Sequence, residues 1–297
     1  MVMADGAVGI IGLGNIGNGI AKAQVKSGNW PVYVWDYDET KSQAFNGMTN
    51  VTVASPGKMA SAVDVLLFVV PSTKEIRLCL EGDEGIFLNA KPGLVIYDLT
   101  TSYPDDSKAV CEEAKEYGIT YLDAGTSGGP YKADTGQLLT MVGGDHEVFE
   151  RTRPYLDPIC EHIFYIGESG TGHTLKLLHN IICHVTTLGT AEAGHMAERA
   201  GISLKTMIDV FNVSNARSYS SEFRFPKHII SETGDGRSSI FNLHKDIGMG
   251  ERLAKSLGAD ARYTSATLDI LNKAMSIGMQ NDDYTLLYRD FEKIRKA

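Results

Sequence analysis

The stretch Ala7-Val-Gly-Ile-Ile-Gly-Leu-Gly-Asn-Ile-Gly17 places Gly12-x-Gly14-x-x-Gly17 directly after a short apolar run and directly before a helix-like segment. In that context each glycine has its own task. Gly12 lets a strand turn tightly into a helix, Gly14 lets the backbone approach a pyrophosphate, and Gly17 lets the helix lie close on a sheet. The helix N-terminus would present N–H groups and a partial positive charge to the phosphates, which adds Leu13, Asn15 and Ile16 to the candidate cofactor-binding residues. A second apolar run, Pro31-Val-Tyr-Val-Trp35, ends at Asp36, 19 residues beyond Gly17. An acidic side chain at that point can accept hydrogen bonds from adenine-ribose hydroxyls, so the pattern predicts a dinucleotide site. Asp36 also selects the dinucleotide. Its carboxylate repels the extra phosphate of NADP, and Tyr37, Asp38 and Glu39 supply no arginine to receive it, so the expected cofactor is NAD. The competing reading makes Asp36 a solvated residue at a strand end, before the turn and N-cap of the next helix.

Beyond these two runs, Asp64–Val70, Leu94–Tyr97 and Thr120–Asp123 are apolar without alternation, as strands covered on both faces are. Their alternation with helix-length segments predicts a doubly wound, parallel α/β sheet of the Rossmann type. Val70 and Pro71, at the end of one run, join the cofactor-binding candidates. Leu138–Val142 and His162–Ile166 read as two more strands, and the sheet is expected to end near Ile166. From His173 onward no strand pattern remains. Thr174–Ala200 carries helical periodicity with Gly201 as its C′ residue, and further helices are expected at 203–212, 243–257, 263–277 and 283–295. The chain is thus expected to comprise an NAD-binding domain, 1–166, and an all-α domain, 167–297, joined by a long interdomain helix. A cleft between two such domains would seat a substrate beside the cofactor.

With 297 residues, 43% of them apolar and 22% charged, the chain can bury the cores of two globular domains. The net charge of −9 comes without a long single-sign block, which disfavours nucleic acid or an anionic membrane as partner. Cys79, Cys111, Cys160 and Cys183 form no C-x-x-C pair, so neither a metal site nor a disulfide framework is expected. Reduced thiols and the lack of a signal-peptide pattern point to the cytoplasm.

Removing a hydride from an alcohol requires a base for the hydroxyl proton and donors to hold the rest of the substrate. Lys176, His179, Asn180 and Cys183 fall at i, i+3, i+4 and i+7 of the long helix and share one face. Polar groups on a stripe that an interface should cover are unusual unless they do something. Taken singly, each has a structural alternative: Lys176 reaching solvent, His179 a satisfied interface histidine, Asn180 bonded to a carbonyl.

Five segments extend this pattern. Gly12-Leu-Gly-Asn-Ile-Gly17, Asp98-Leu-Thr-Thr101-Ser-Tyr-Pro104, Asp123-Ala-Gly-Thr-Ser127-Gly128-Gly129, Gly170-Thr-Gly-His-Thr-Leu-Lys176-Leu-Leu-His179-Asn180 and Phe241-Asn-Leu-His-Lys245-Asp246 resemble, in order and spacing, the motifs of the β-hydroxyacid dehydrogenase family. The resemblance implies a Rossmann domain followed by a helical domain, NAD(P)-dependent oxidation of a 3-hydroxy acid, and a homodimer or homotetramer. It assigns Lys176 the place of the lysine that exchanges a proton with the substrate hydroxyl. Burial beside a cationic nicotinamide ring would lower the pKa of such a lysine toward neutrality. Asn180 matches the asparagine that positions substrate and lysine. Ser127, Gly128 and Gly129 match the loop that receives the substrate carboxylate, Thr101 a cofactor contact, and Lys245 a lysine reaching the cofactor from the helical domain. For Lys245 an ion pair with Asp246 on a helix surface is the alternative.

Two departures bear on the substrate. Gly125-Thr126 and His179-Asn180 look like 6-phosphogluconate dehydrogenase rather than the 3-hydroxyisobutyrate enzymes, which places His179 among the substrate-binding candidates. That decarboxylating enzyme carries a glutamate seven residues after its lysine, whereas this chain has Cys183, a poorer proton donor with an ordinary pKa of about 8.5. Oxidation without decarboxylation is therefore expected. Arg217, in a donor-rich loop after a helix, is a candidate for a second anion or a sugar-acid hydroxyl, with a solvated loop arginine as the alternative. Three other readings use the same residues: oxidative decarboxylation, reduction of an imine or aldehyde, and a regulatory protein that binds NAD without turnover. The last would be expected to have lost Lys176 or the Ser127-Gly128-Gly129 loop, and both are present.

Overall fold

A computed structural model of the protein describes residues 6–297 and divides into two compact units, with the boundary between Lys176 and Leu177. The first unit is built on eight strands: β1 (Val8–Ile11), β2 (Val32–Trp35), β3 (Val51–Val53), β4 (Val65–Phe68), β5 (Val95–Asp98), β6 (Thr120–Ser127), β7 (Leu138–Gly143) and β8 (Cys160–Gly167). They form one sheet in the order β3-β2-β1-β4-β5-β6-β7-β8. Odd and even positions of the strands supply two separate cores. Val8, Ile10, Val65 and Leu67 face one layer of helices, while Ile11, Leu66, Phe68 and Ile96 face the other. This two-sided burial is why the strands read as unbroken apolar runs.

The sheet departs from a uniformly parallel one at a single junction. β6 and β7 are antiparallel, registered from Asp123↔Gly143 to Ser127↔Leu139. The connecting residues 128–137 are fewer than the dozen or so that a parallel crossover needs, so the chain turns back instead. The same pairing carries β6 four residues past the expected end at Asp123, through Ala124-Gly-Thr-Ser127, a sequence with little strand preference of its own. β3 was not foreseen either. It has three residues and pairs with β2 alone, too short to show a period.

From β1 the strand order runs one way through β2 and β3 and the other way from β4. The loops after β1 and β4 therefore diverge and leave a crevice at their C-terminal ends.

The second unit is helical. Its longest element, Thr171–Arg199, begins in the first unit and continues into the second. It starts three residues earlier than the periodicity suggested, and Gly201 just beyond its end has φ +80°. The helices Leu204–Asn212, Ile240–Ser256 and Arg262–Ser276 follow, packed in clusters around Leu243, Ile247 and Leu271 and around Ala191, Ile208 and Phe225. Two segments differ from expectation. The loop-like Ser220–Ile230 is a π-helix containing Pro226. The expected helix 283–295 is instead two short ones, Leu286–Arg289 and Phe291–Lys296. Asp283 is drawn off into a bridge with Ser239 and a turn in which its Oδ1 accepts from Thr285 N at 3.0 Å. Among the described residues no helix is long and apolar enough to cross a membrane.

The start of the long helix is fixed to the first unit by buried polar groups. Asp123, fully buried at the centre of β6, accepts from Gly170 N at 2.6 Å and from His173 N at 2.9 Å. It does from across the sheet what an N-cap side chain does locally. Gly172 has no room for a side chain, because an added Cβ would run into the carbonyl oxygens of Met141 and Asp123. Hydrogen bonds to a buried carboxylate contribute about 1.5–3 kcal/mol each, and removing the acceptor leaves two backbone N–H groups uncompensated. Asp123→Ala is therefore expected to lower the unfolding free energy by roughly 2–4 kcal/mol in urea titration. A loss under about 1 kcal/mol would mean that the helix start does not depend on this carboxylate.

Candidate active site

Gly12, with φ +96°, turns the chain out of β1, and an added Cβ there would collide with the carbonyl oxygen of Val69. Gly17 lies against the Gly12 carbonyl and admits no side chain either. Above Gly14 the situation is opposite: no atom lies within 4 Å of where its Cβ would be, so the loop surface there is open. Gly14 is the N-cap of the helix Asn15–Ser27, whose first turn holds no acidic residue. Leu13 is buried, Ile16 half-buried and Asn15 exposed at this surface. A cradle too tight for side chains below and open above, at an uncapped helix start, suits a pyrophosphate.

Asp36 is drawn toward this loop. Its Oδ2 accepts from Leu13 N at 2.6 Å and its Oδ1 from Asp38 N at 2.8 Å, with Lys41 Nζ at 3.5 Å. The side chain is only 11% exposed, and the N-cap of the next helix is Asp38, whose Oδ1 accepts from Thr40 N at 3.1 Å. Asp36 is thus not a solvated strand-end residue. Beside it lies a cavity of about 290 Å³ lined by Trp35, Asp36, Val53, Ala54, Ser55 and Lys58, among others. Lys41 and Lys58 bring positive charge to this end of the site. Neither stands directly after Asp36, where the sequence pattern would place an arginine for the extra phosphate.

Val70 and Pro71 follow β4 at the crevice, where Val69 N donates to Ile11 O at 2.8 Å and Val70 N to Thr100 Oγ1 at 3.4 Å. The ends of β1, β4 and β5 are thereby held together, with Thr101 half-buried one residue further on. The residues present fit a nicotinamide dinucleotide: a cradle for phosphates, a carboxylate and cavity at the ribose end, and strand-end loops along the crevice.

At the end of β6 Ser127 is half-buried, and Gly128 and Gly129 take φ +125° and +63°. An added Cβ at Gly128 would strike Lys132 and Leu138, while the space above Gly129 is open to 4 Å. Lys176 is 7% exposed and packs on this strand: a Cβ added to Gly125 would come within 2.5 Å of the Lys176 Cβ. The Gly125 noted as a departure in the sequence thus makes room for the lysine.

One turn further along the helix, Asn180 is 5% exposed. Its Nδ2 donates to Asp246 Oδ2 at 2.7 Å, which leaves its Oδ1 to accept from His179 Nδ1–H at 2.9 Å. These bonds set the amide orientation and the histidine tautomer together. Cys183 Sγ lies 3.6 Å from His179 Nε2, and Lys245 Nζ lies 3.5 Å from Asp246 Oδ1, with side chains 20% and 13% exposed. The Lys245–Asp246 pair foreseen as an alternative does form, in a largely buried setting. Asp246 as the partner of Asn180 was missed, since a carboxylate 66 residues away leaves no local signal. Arg217 stands on an exposed turn, 3.6 Å from Glu222. Arg224, which no local sequence signal singles out, is the arginine turned toward the long helix, with Nη1 donating to Thr187 Oγ1 at 2.5 Å and to Cys183 O at 3.3 Å.

Residues 7–167 match the family model described as the NAD binding domain of 6-phosphogluconate dehydrogenase. Residues 170–291 match the one described as the NAD-binding domain of NADP-dependent 3-hydroxyisobutyrate dehydrogenase. Among curated proteins, 2-(hydroxymethyl)glutarate dehydrogenase of Eubacterium barkeri is 28% identical, with 97% of this chain and 95% of that protein covered. L-threonate dehydrogenase of Escherichia coli is 29% identical, with the same coverage of 97% and 95%. The crystal structure of 3-hydroxyisobutyrate dehydrogenase from Salmonella typhimurium superposes with a TM-score of 0.86 at 28% identity, covering 96% of this chain and 99% of that one.

The four cysteines are free thiols in different settings. Burial pushes Cys79 and Cys160 up to about 12, whereas Cys183 is only half-buried beside His179. Because the thiolate is the reactive form, a thiol with a pKa of about 12 is ionised to roughly one part in ten thousand at pH 8. Iodoacetamide at pH 8, followed by peptide mass spectrometry, is expected to label Cys183 first and Cys79 and Cys160 only after unfolding. Labelling of all three at equal rates in the native protein would contradict this ordering.

Proposed function

The chain belongs to the β-hydroxyacid dehydrogenase family, and from that premise we propose that it oxidises a polar or anionic 3-hydroxy acid with NAD, or runs the reverse reduction, without decarboxylation. The observation that carries the reading is the placement of Lys176. It is buried against Gly125 on β6, two residues before Ser127, and one helical turn before Asn180. The relatives named above act on hydroxy acids, which supports the substrate class.

In this reading Gly12, Gly14, Gly17, Asp36, Val70, Pro71, Thr101 and Lys245 hold a nicotinamide dinucleotide, which supplies the hydride acceptor when bound. Lys176 Nζ takes the proton from the substrate hydroxyl as the carbon–hydrogen bond breaks, and returns it in the reverse direction. Ser127 Oγ and the backbone N–H groups of Gly128 and Gly129 receive the substrate carboxylate. Asn180, its amide orientation set by Asp246 and His179, orients the hydroxyl toward Lys176. The burial of Lys176 and Asn180 keeps bulk water from competing for these hydrogen bonds. A glutamate for protonating an enediol has no counterpart at Cys183, which supports oxidation without loss of carbon dioxide.

The test is the initial rate of NAD+ and NADP+ reduction over a panel of 3-hydroxy acids and sugar acids that includes 6-phosphogluconate, with carbon dioxide measured alongside. Lys176→Ala is expected to lower kcat by about 10²–10⁴ on any accepted substrate, as loss of a general base does. Turnover equal to the wild type would remove Lys176 from the chemistry. Asp36→Ala is expected to raise the KM for NAD+ about tenfold, the effect of losing a charged hydrogen bond, and to narrow the preference over NADP+. An unchanged ratio would put the selectivity elsewhere, with Lys41 and Lys58 the next residues to vary.

A further inference from the structure

Within the second unit, the face of the long helix that carries Asn180 continues through Cys183 and Thr187 at i+3 and i+7. Arg224 of the π-helix Ser220–Ile230 lies on that face. Its Nη1 donates to the Thr187 hydroxyl and to the Cys183 carbonyl, at 2.5 and 3.3 Å. The guanidinium carbon lies 5.0 Å from the ring centroid of Tyr284 and 5.5 Å from that of Tyr219. The Thr187 hydroxyl is itself fully engaged, donating to Cys183 O at 2.7 Å and bonded to Ser220 Oγ at 2.7 Å.

This arginine has no carboxylate partner among the described residues, whereas Arg217 nearby in sequence has Glu222. Its Nε is buried without a hydrogen bond, and only Nη1 donates to another residue. A guanidinium held by two aromatic rings, with one edge of its fork left unbonded, is an arrangement that costs free energy unless an acceptor arrives. Nη2, which makes no hydrogen bond among the described residues and is not buried, is the donor left open to an arriving anion. A π-helix is itself rare and is frequently found at functional positions, and here it carries Arg224 to the helix face. From Asn180 to Cys183 is three residues, about 4.5 Å along the helix axis. A group bound at Arg224 would therefore belong to the end of the substrate remote from the reacting hydroxyl.

We propose that Arg224 is the specificity residue of this enzyme and binds a second anionic group, a carboxylate or a phosphate, at the far end of a dianionic 3-hydroxy acid. The proposal rests on the reading of the Lys176 and Asn180 helix face as the substrate site. It replaces the expectation that Arg217 supplies this contact.

The test compares kcat/KM for 3-hydroxyglutarate and 4-phosphoerythronate, each with a second anionic group, with that for 3-hydroxybutyrate, which lacks it. The wild type is expected to prefer a dianion by about ten- to a hundredfold, the effect of a charge-assisted pair, and the better of the two identifies the anion as carboxylate or phosphate. In Arg224→Gln that preference is expected to vanish through KM, with kcat and the 3-hydroxybutyrate rate little changed. Arg224→Lys, which keeps the charge and loses the fork, is expected to retain only part of it. A preference that survives Arg224→Gln, or a loss equal for monoanion and dianion, would overturn the proposal. Should no hydroxy acid turn over, the dehydrogenase reading fails by itself, and calorimetric titration of glutarate into the enzyme with NADH decides this one. Glutarate binding that is lost in Arg224→Gln while NADH binding persists supports it, and binding that is absent or unaltered overturns it.

Discussion

The docking of one helix start on one strand is the constraint on which the rest depends. The first turn of Thr171–Arg199 lies on β6 so closely that Gly172 and Gly125 cannot carry side chains, and Asp123 holds the turn by accepting from Gly170 N and His173 N. His173 continues the attachment. Its Nε2 lies 3.1 Å from the carbonyl oxygen of Asp98, which can only accept, so that nitrogen carries the proton and Nδ1 meets Ser107 Oγ at 2.7 Å. The Asp98 carboxylate in turn accepts from Thr100 N, Ser102 Oγ and Tyr121 Oη, with the Tyr121 hydroxyl kept protonated by burial and by Asp98 beside it. Every member of this network is buried. A half-satisfied network at this depth would cost several kcal/mol, so the helix has one seat rather than a choice of registers.

That seat determines where Lys176 is. The lysine is five residues into the helix, and Asn180 is one turn beyond it, in the second unit. A continuous α-helix fixes the offset between two such residues to about 6 Å along its axis, whatever the loops around it do. The Asn180 amide is held from a different helix, Ile240–Ser256, by Asp246.

What the sequence made legible follows the range of the interactions. The glycines of the first loop, the apolar runs of the two-sided sheet and the i, i+3, i+4 stripe are local signals, and each survives in a single stretch of chain. β3 was missed because three residues cannot show a period, and the turn back of β7 because strand direction depends on the length of a connection rather than on its composition. The partners that orient the stripe, Asp123 for the helix start and Asp246 for the amide, lie 50 and 66 residues away from what they hold. Arg217 and Arg224 differ by seven positions in the same donor-rich stretch, and nothing local says which faces the helix. The choice is made by the π-helix, whose wider turn cannot be read from a 3.6-residue period.

The cofactor end illustrates how a single residue underdetermines a charge balance. Asp36 brings one negative charge to the end of β2, but Lys41 Nζ lies 3.5 Å from it and Lys58 lines the adjoining cavity. An additional phosphate there would meet repulsion from one carboxylate and attraction from two ammonium groups, all partly exposed and screened over a Debye length of about 8 Å. In the proposed reading, selection of NAD would rest less on the sum of charges than on geometry. Asp36 accepts at Oδ1 from Asp38 N and Lys41 Nζ and at Oδ2 from Leu13 N, which leaves a lone pair on Oδ2. The carboxylate is thus fixed by the backbone at two points, whereas both lysines are point charges without a fork to clasp a phosphate.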